Sequence, residues 1–131
     1  MHELSVCQAL IEQVELIVHR HQAREARRLV LRIGPLSGVE PHLVEQAFPI
    51  ARAGTVAAAA ELVIDSLPVT VCCIGCGDTT SALPNRLVCA SCGDWHTTLV
   101  SGDELELFRV ELEGGTTNDQ QEFAGKPVST R

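Results

Sequence analysis

Apolar positions recur every three or four residues across 4–22. Leu4, Cys7, Leu10, Ile11, Val14, Ile17 and Val18 fall on one stripe, with Glu12 and Glu15 opposite. The spacing predicts an amphipathic helix, closed by His19-Arg20-His21, cations suited to a helix C-terminus. Arg28-Leu29-Val30-Leu31-Arg32-Ile33 is short, rich in β-branched residues and bounded by Gly34-Pro35, so it reads as a strand. A second helix is expected from Pro41, a good first-turn residue, to Gly54 as its cap. Leu43, Val44, Ala47, Phe48 and Ala51 form its apolar side, and Pro49, lacking an N–H, is expected to kink it or shorten its start. Residues 61–65 read as another strand, and 55–60 as a connection or a strand start. Over 104–112 acid alternates with apolar for most of the length, the period of two of a half-buried strand. The polar, glycine-containing stretch 114–131 is expected to be a flexible tail.

The order helix, strand, helix, strand, cysteine-rich segment, strand predicts an α+β fold, a three-stranded sheet with two helices on one face. That layer takes residues 1–68 and 101–113, and an inserted module takes 69–100. With 45% hydrophobic residues in a chain of 131, wholesale disorder is excluded, and no apolar stretch reaches the length of a membrane span. The start Met1-His2-Glu3 shows no basic region followed by an apolar core, so a cytoplasmic protein with reduced thiols is expected. A net charge of −7 argues against nucleic acid as the main partner. Arg20, Arg24, Arg27, Arg28 and Arg32 form a basic cluster, and Asp103, Glu104, Glu106, Glu111 and Glu113 an acidic one. Both read as solvated faces before docking sites.

Reduced cysteines point to metal. Cys73-Ile74-Gly75-Cys76-Gly77-Asp78 and Cys89-Ala90-Ser91-Cys92-Gly93-Asp94 repeat one pattern, C-x-x-C-G-D. Two residues between thiolates let both sulfurs of a pair reach one ion, and the following glycine can turn backbone N–H groups toward them. Two facing turns would close a four-sulfur shell around a structural Zn²⁺, with no position left for water or substrate. A thioredoxin-like reading fits poorly, since it needs one C-x-x-C rather than two matched copies. Rubredoxin-type iron uses the same ligand geometry, and spacing leaves it open; Cys72 or His96 could stand in for one ligand, but the repeated pattern favours Cys73. Trp95 is expected to pack over the module, and Cys7 to serve as a small core residue.

At Met1-His2-Glu3, a free α-amine, the next amide nitrogen and an imidazole can form fused chelate rings, a nitrogen set that nickel(II) and copper(II) favour. Taken alone, three residues are read more economically as an unremarkable helix start. The whole chain adds weight. Met1-His2-Glu3-Leu4-Ser5, Arg32-Ile33-Gly34-Pro35-Leu36-Ser37 with Val39-Glu40, the paired cysteines and Gly102-Asp103-Glu104-Leu105 together resemble the HypA/HybF family of hydrogenase maturation factors over residues 1–113.

The resemblance implies a nickel metallochaperone for [NiFe]-hydrogenase, not an enzyme. It makes His2 the essential nickel ligand, with the Met1 amine and Glu3 beside it, and gives Cys73, Cys76, Cys89 and Cys92 to zinc. It also implies a nickel-handling GTPase, HypB, and the hydrogenase large subunit as partners, and leaves a homodimer open. Pro49 and Cys72 are unusual against it. A competing reading is a zinc-ribbon adaptor that only binds protein, which gives His2 no role. H-E-x-x-H, G-x-S-x-G and phosphate-loop motifs are absent from the sequence, so no enzyme class is indicated.

Overall fold

The computed structural model describes residues 2–114 together with 126–127. Helix α1 (His2–Arg20) is followed by β1 (Glu25–Ile33), α2 (Pro41–Arg52) and β2 (Glu61–Ser66). Strands β3 (Thr70–Cys73), β4 (Thr79–Ser81) and β5 (Thr97–Ser101) come next, then β6 (Leu105–Glu113) and the two-residue β7 (Lys126–Pro127). A four-stranded sheet has the order β2-β1-β6-β7, and a three-stranded sheet the order β4-β3-β5.

The three strands expected for the first sheet are β2, β1 and β6, adjacent in that order. β1 runs parallel to β2 and antiparallel to β6. Parallel neighbours need a crossover, and α2 supplies it. Leu29, Leu31 and Ile33 of β1 and Leu107, Val110 and Leu112 of β6 are buried in one core. Val6, Leu10, Val14 and Ile17 of α1 belong to it too, with Val44 and Phe48 of α2 completing it. Both helices cover one face, as their apolar stripes require.

α1 ends where Gln22 turns into the left-handed region (φ 55°), its neighbour Ala23 donating back to the Val18 carbonyl. α2 runs on through Pro49 to Arg52 without the shortening expected. Pro49 and Glu45 are both exposed, so water can satisfy the carbonyl that the proline leaves unpaired. Residues 55–60 form turns rather than a strand start.

Strand register corrects the reading of two separate charged clusters. It sets Arg28 between Glu61 and Glu111, and Arg32 between Asp65 and Glu106. Arg28 lies 3.1 Å from Glu61 and 3.3 Å from Glu111; Arg32 lies 3.6 Å from Asp65 and 3.7 Å from Glu106. The Arg32 guanidinium also stacks over Phe108, 3.5 Å from the ring centre. Each such pair, at or near the surface, contributes about 1 kcal/mol or less. Their larger effect is to specify register, since a slip would break every one of these pairs at once.

The sheet gains β7 from the segment expected to be a flexible tail, antiparallel to β6 at Glu106↔Pro127 and Leu107↔Lys126. Residues 115–125 and 128–131 lie outside the described residues. Among the described residues no helix is long and apolar enough to cross a membrane.

Candidate metal centre

Each C-x-x-C turn leaves a strand or extended segment and reverses under the same constraint. In the first, Cys73 N–H donates to the Asp78 carbonyl (2.9 Å) and Gly77 N–H to the Cys73 carbonyl (2.9 Å). In the second, Cys89 N–H donates to the Asp94 carbonyl (2.9 Å) and Gly93 N–H to the Cys89 carbonyl (2.8 Å). Gly77 and Gly93 have φ of 80° and 79°, a left-handed backbone that glycine adopts without a Cβ penalty. The repeated sequence thus becomes a repeated structure.

Backbone N–H groups point at sulfur in both turns. Cys76 N–H donates to the Cys73 Sγ at 3.4 Å, and Ser91 N–H to the Cys89 Sγ at 3.3 Å. Strand pairing of β3 with β5 aligns the turns, and a Cβ on Gly75 would stand 3.1 Å from Asp94 of the opposing turn. All four Sγ atoms of Cys73, Cys76, Cys89 and Cys92 lie within 4.8 Å of one another. Cys73 to Cys92 and Cys76 to Cys89 are both 3.6 Å. A disulfide needs about 2.05 Å. Tetrahedral sulfurs at the Zn–S distance of about 2.3 Å stand roughly 3.8 Å apart, so this donor set fits that ion.

The cage also has an electrostatic reason to hold a cation. Cys89 is drawn down to about 6, chiefly by the Cys92 backbone N–H, with burial opposing and the Ser91 N–H assisting. At Cys76 the Asp78 backbone N–H favours the thiolate, but the neighbouring Cys89 sulfur, burial and the other sulfurs outweigh it and push the thiol up to about 12. Four sulfurs this close cannot all ionise unless a positive ion joins them.

Cys72 and His96 stand outside this cluster. Cys72 alternates to the opposite side of β3 from Cys73, with its sulfur 3.9 Å from the Gly77 carbonyl oxygen. His96 is engaged elsewhere: its Nδ1 lies 2.7 Å from Asp94 Oδ1, which also accepts the His96 backbone N–H at 3.1 Å. Those two bonds hold the Asp94 carboxyl below its ordinary range. Trp95 does not cover the module; it is 71% exposed and stacks on His96, with ring centres 3.9 Å apart.

At the other end of the chain, α1 begins at His2. The first four N–H groups of a helix have no partner within it, so the amides of His2 and Glu3 open the helix without intrahelical bonds. Glu3 is half-buried and borders a groove of about 490 Å³ with Leu4 of α1 and Leu43, Gln46, Ala47 and Ile50 of α2. Met1 lies outside the described residues. No sequence signal pointed to this groove, because it depends on how α2 packs along α1.

A family described as "Hydrogenase/urease nickel incorporation, metallochaperone, hypA" matches residues 1–112. A hydrogenase maturation factor HypA of Nitrosospira multiformis is 47% identical over 112 residues, covering 86% of this chain and 97% of that protein. Its counterpart in Aquifex aeolicus is 37% identical over 113 residues, 86% of this chain and 98% of that one. Among solved structures, the Ni metallochaperone HypA from Helicobacter pylori is similar, with a TM-score of 0.62 at 29% identity over 86% of this chain and 97% of that one. A second solution structure of a HypA protein gives 0.66 at 30% identity, with coverage of 86% and 96%.

Proposed function

Because the chain belongs to the HypA family of nickel-incorporation metallochaperones, we propose that it captures Ni²⁺ at its N-terminus and delivers it for maturation of [NiFe]-hydrogenase. The His2 imidazole, the Met1 amine and the adjacent backbone at Glu3 supply the nickel donors in this reading. The observation that carries it is the start of α1 at His2, which leaves the neighbouring amides without helical partners. Those amides stay available for the deprotonation that a nitrogen-bound nickel drives.

Cys73, Cys76, Cys89 and Cys92 would hold a structural Zn²⁺, which supplies cohesion and takes part in no reaction. The division of labour follows the chain: residues 1–68 and 101–113 carry the nickel end, and 69–100 form the zinc module. The setting is cytoplasmic, with the HypB GTPase as the nickel-handling partner and the hydrogenase large subunit as recipient.

Nickel titration of untagged protein beside His2→Ala, at two pH values, tests the reading. The wild-type chain is expected to bind nickel and the variant to bind it at least about tenfold more weakly, both with equal zinc content. An amine of pKa about 7.7–8.0 and an imidazole of about 6.5 must each lose a proton to bind. Wild-type affinity should therefore fall as pH drops from about 8 to 6. Equal binding by the variant, or flat affinity across that range, would refute the terminal site.

A further inference from the structure

The outer edge of β6 carries an extra strand that the family match does not reach. The match ends at residue 112, and the 112 residues shared with the Nitrosospira relative are 97% of that protein, which leaves it too few for a counterpart of Lys126–Pro127. We propose that Lys126–Pro127 is an edge cap, closing β6 in cis against pairing with β6 of a second copy of this chain. This inference is independent of where nickel binds.

Three observations carry it. β6 is nine residues long and antiparallel to β1 on its inner side, so its outer side presents a row of backbone donors and acceptors. The strand can also pair with itself, because an antiparallel copy centred between Leu107 and Phe108 sets Leu105 across from Val110, two residues whose backbone groups both face outward. Finally, the capping strand consists of a lysine and a proline, two residue types that blunt a sheet edge.

The hydrogen-bond pattern follows from the proline. Pro127 has no N–H, so its pair with Glu106 cannot be the one that exchanges two bonds. Antiparallel pairs alternate, which assigns the doubly bonded pair to Leu107↔Lys126. The inner side agrees: Gly34 N–H donates to the Glu104 carbonyl, so the even positions at this end of β6 bond toward β1 and Leu107 bonds outward. Beyond the lysine, the cap continues with a residue that offers no donor to a further strand.

Lys126→Pro in the full chain removes the one donor of the cap without touching β6. Amide exchange read by NMR should show the Leu107 N–H exchanging at least about tenfold faster in the variant, with Leu29 and Leu31 of the interior strand β1 unchanged as reporters of global stability. Sedimentation across a concentration series should show the variant self-associating beyond the wild-type chain. Unchanged exchange at Leu107 would overturn the cap, as would faster exchange without added self-association. General acceleration at Leu29 and Leu31 would overturn it too, by making the tail a stabiliser of the whole fold.

Discussion

Cys7 lies on the apolar stripe of α1 with its sulfur 3.5 Å from the Val44 carbonyl oxygen of α2, and burial, aided by Glu3, pushes its thiol up to about 11. The thiolate is the reactive form, so near neutral pH this group is both protonated and shielded. Cys72 sits on the opposite side of β3 from the cage and is half-buried. Mild alkylation of the zinc-loaded protein, read by peptide mass spectrometry, should therefore modify Cys72 first and leave Cys7 unlabelled until the chain is denatured. Raising the pH toward 11 in the folded state should bring Cys7 into reaction only as its thiolate forms. Rapid labelling of Cys7 at neutral pH would contradict its place between the helices. Sequence alone identified Cys7 as a core residue because helical periodicity put it in line with Leu10, Ile11 and Val14. The repeated C-x-x-C-G-D pattern favoured Cys73 over Cys72 for the cage, and strand alternation supplies the reason, sending Cys73 inward and Cys72 away.

At the scale of elements, the two halves of the chain draw their cohesion from different sources. The layer of α1, α2, β1, β2 and β6 buries a continuous apolar core, whereas the buried residues of the small sheet are few: Val69, Val71, Cys73 and Cys89. Removing zinc with a chelator should release the second set and spare the first. Amide exchange at Gly77 and Gly93, whose N–H groups close the two turns, should accelerate by orders of magnitude while Leu29 and Leu31 of β1 keep their protection. Simultaneous collapse of both sets would show one cooperative unit instead.

The same contrast explains what the sequence revealed at this scale. α1, α2, β1 and β6 were legible because a long apolar stripe or alternation has one way to face a core. β3, β4 and β5 were not, because strands of three to five residues carry too few alternations, and here the cysteine turns bring them together. The charged clusters were visible as composition but not as partners. Which arginine meets which acid depends on the parallel register of β1 with β2 and the antiparallel register with β6. Trp95 illustrates the remaining limit: a large aromatic beside a metal turn has an expected place in a core, yet a small sheet offers no core to receive it.

Across the whole molecule, the layer and the cysteine sheet meet where the end of β1 crosses the segments on either side of the small sheet. A Cβ on Gly34 would stand 2.2 Å from the Gly102 carbonyl oxygen, and one on Gly102 would stand 2.9 Å from a Val69 methyl. Leu36 N–H donates to that same Gly102 oxygen at 2.6 Å, while Gly102 N–H donates to the Glu104 carboxylate at 2.9 Å. On the first connection Leu67 N–H donates to the Ile33 carbonyl at 3.1 Å, so both connections are tied at the end of β1 by backbone groups, which cannot rotate aside as a side chain can. Gly34→Ala should cost about 1–3 kcal/mol in denaturant unfolding, the range for forcing a methyl into a packed site. Gly38→Ala provides the comparison. Gly38 has φ of 82° with nothing within 4 Å of where a methyl would stand, so its alanine should incur only the left-handed penalty of about 1–2 kcal/mol and leave the junction intact. The two losses overlap in size, so the deciding measurement is orientation. Residual dipolar couplings of β3 and β5 relative to β1 should change in Gly34→Ala and stay fixed in Gly38→Ala, with zinc content equal in both because all four cage cysteines lie beyond the crossing. Unchanged couplings in Gly34→Ala would mean that the crossing does not set the orientation of the cysteine cage on the layer.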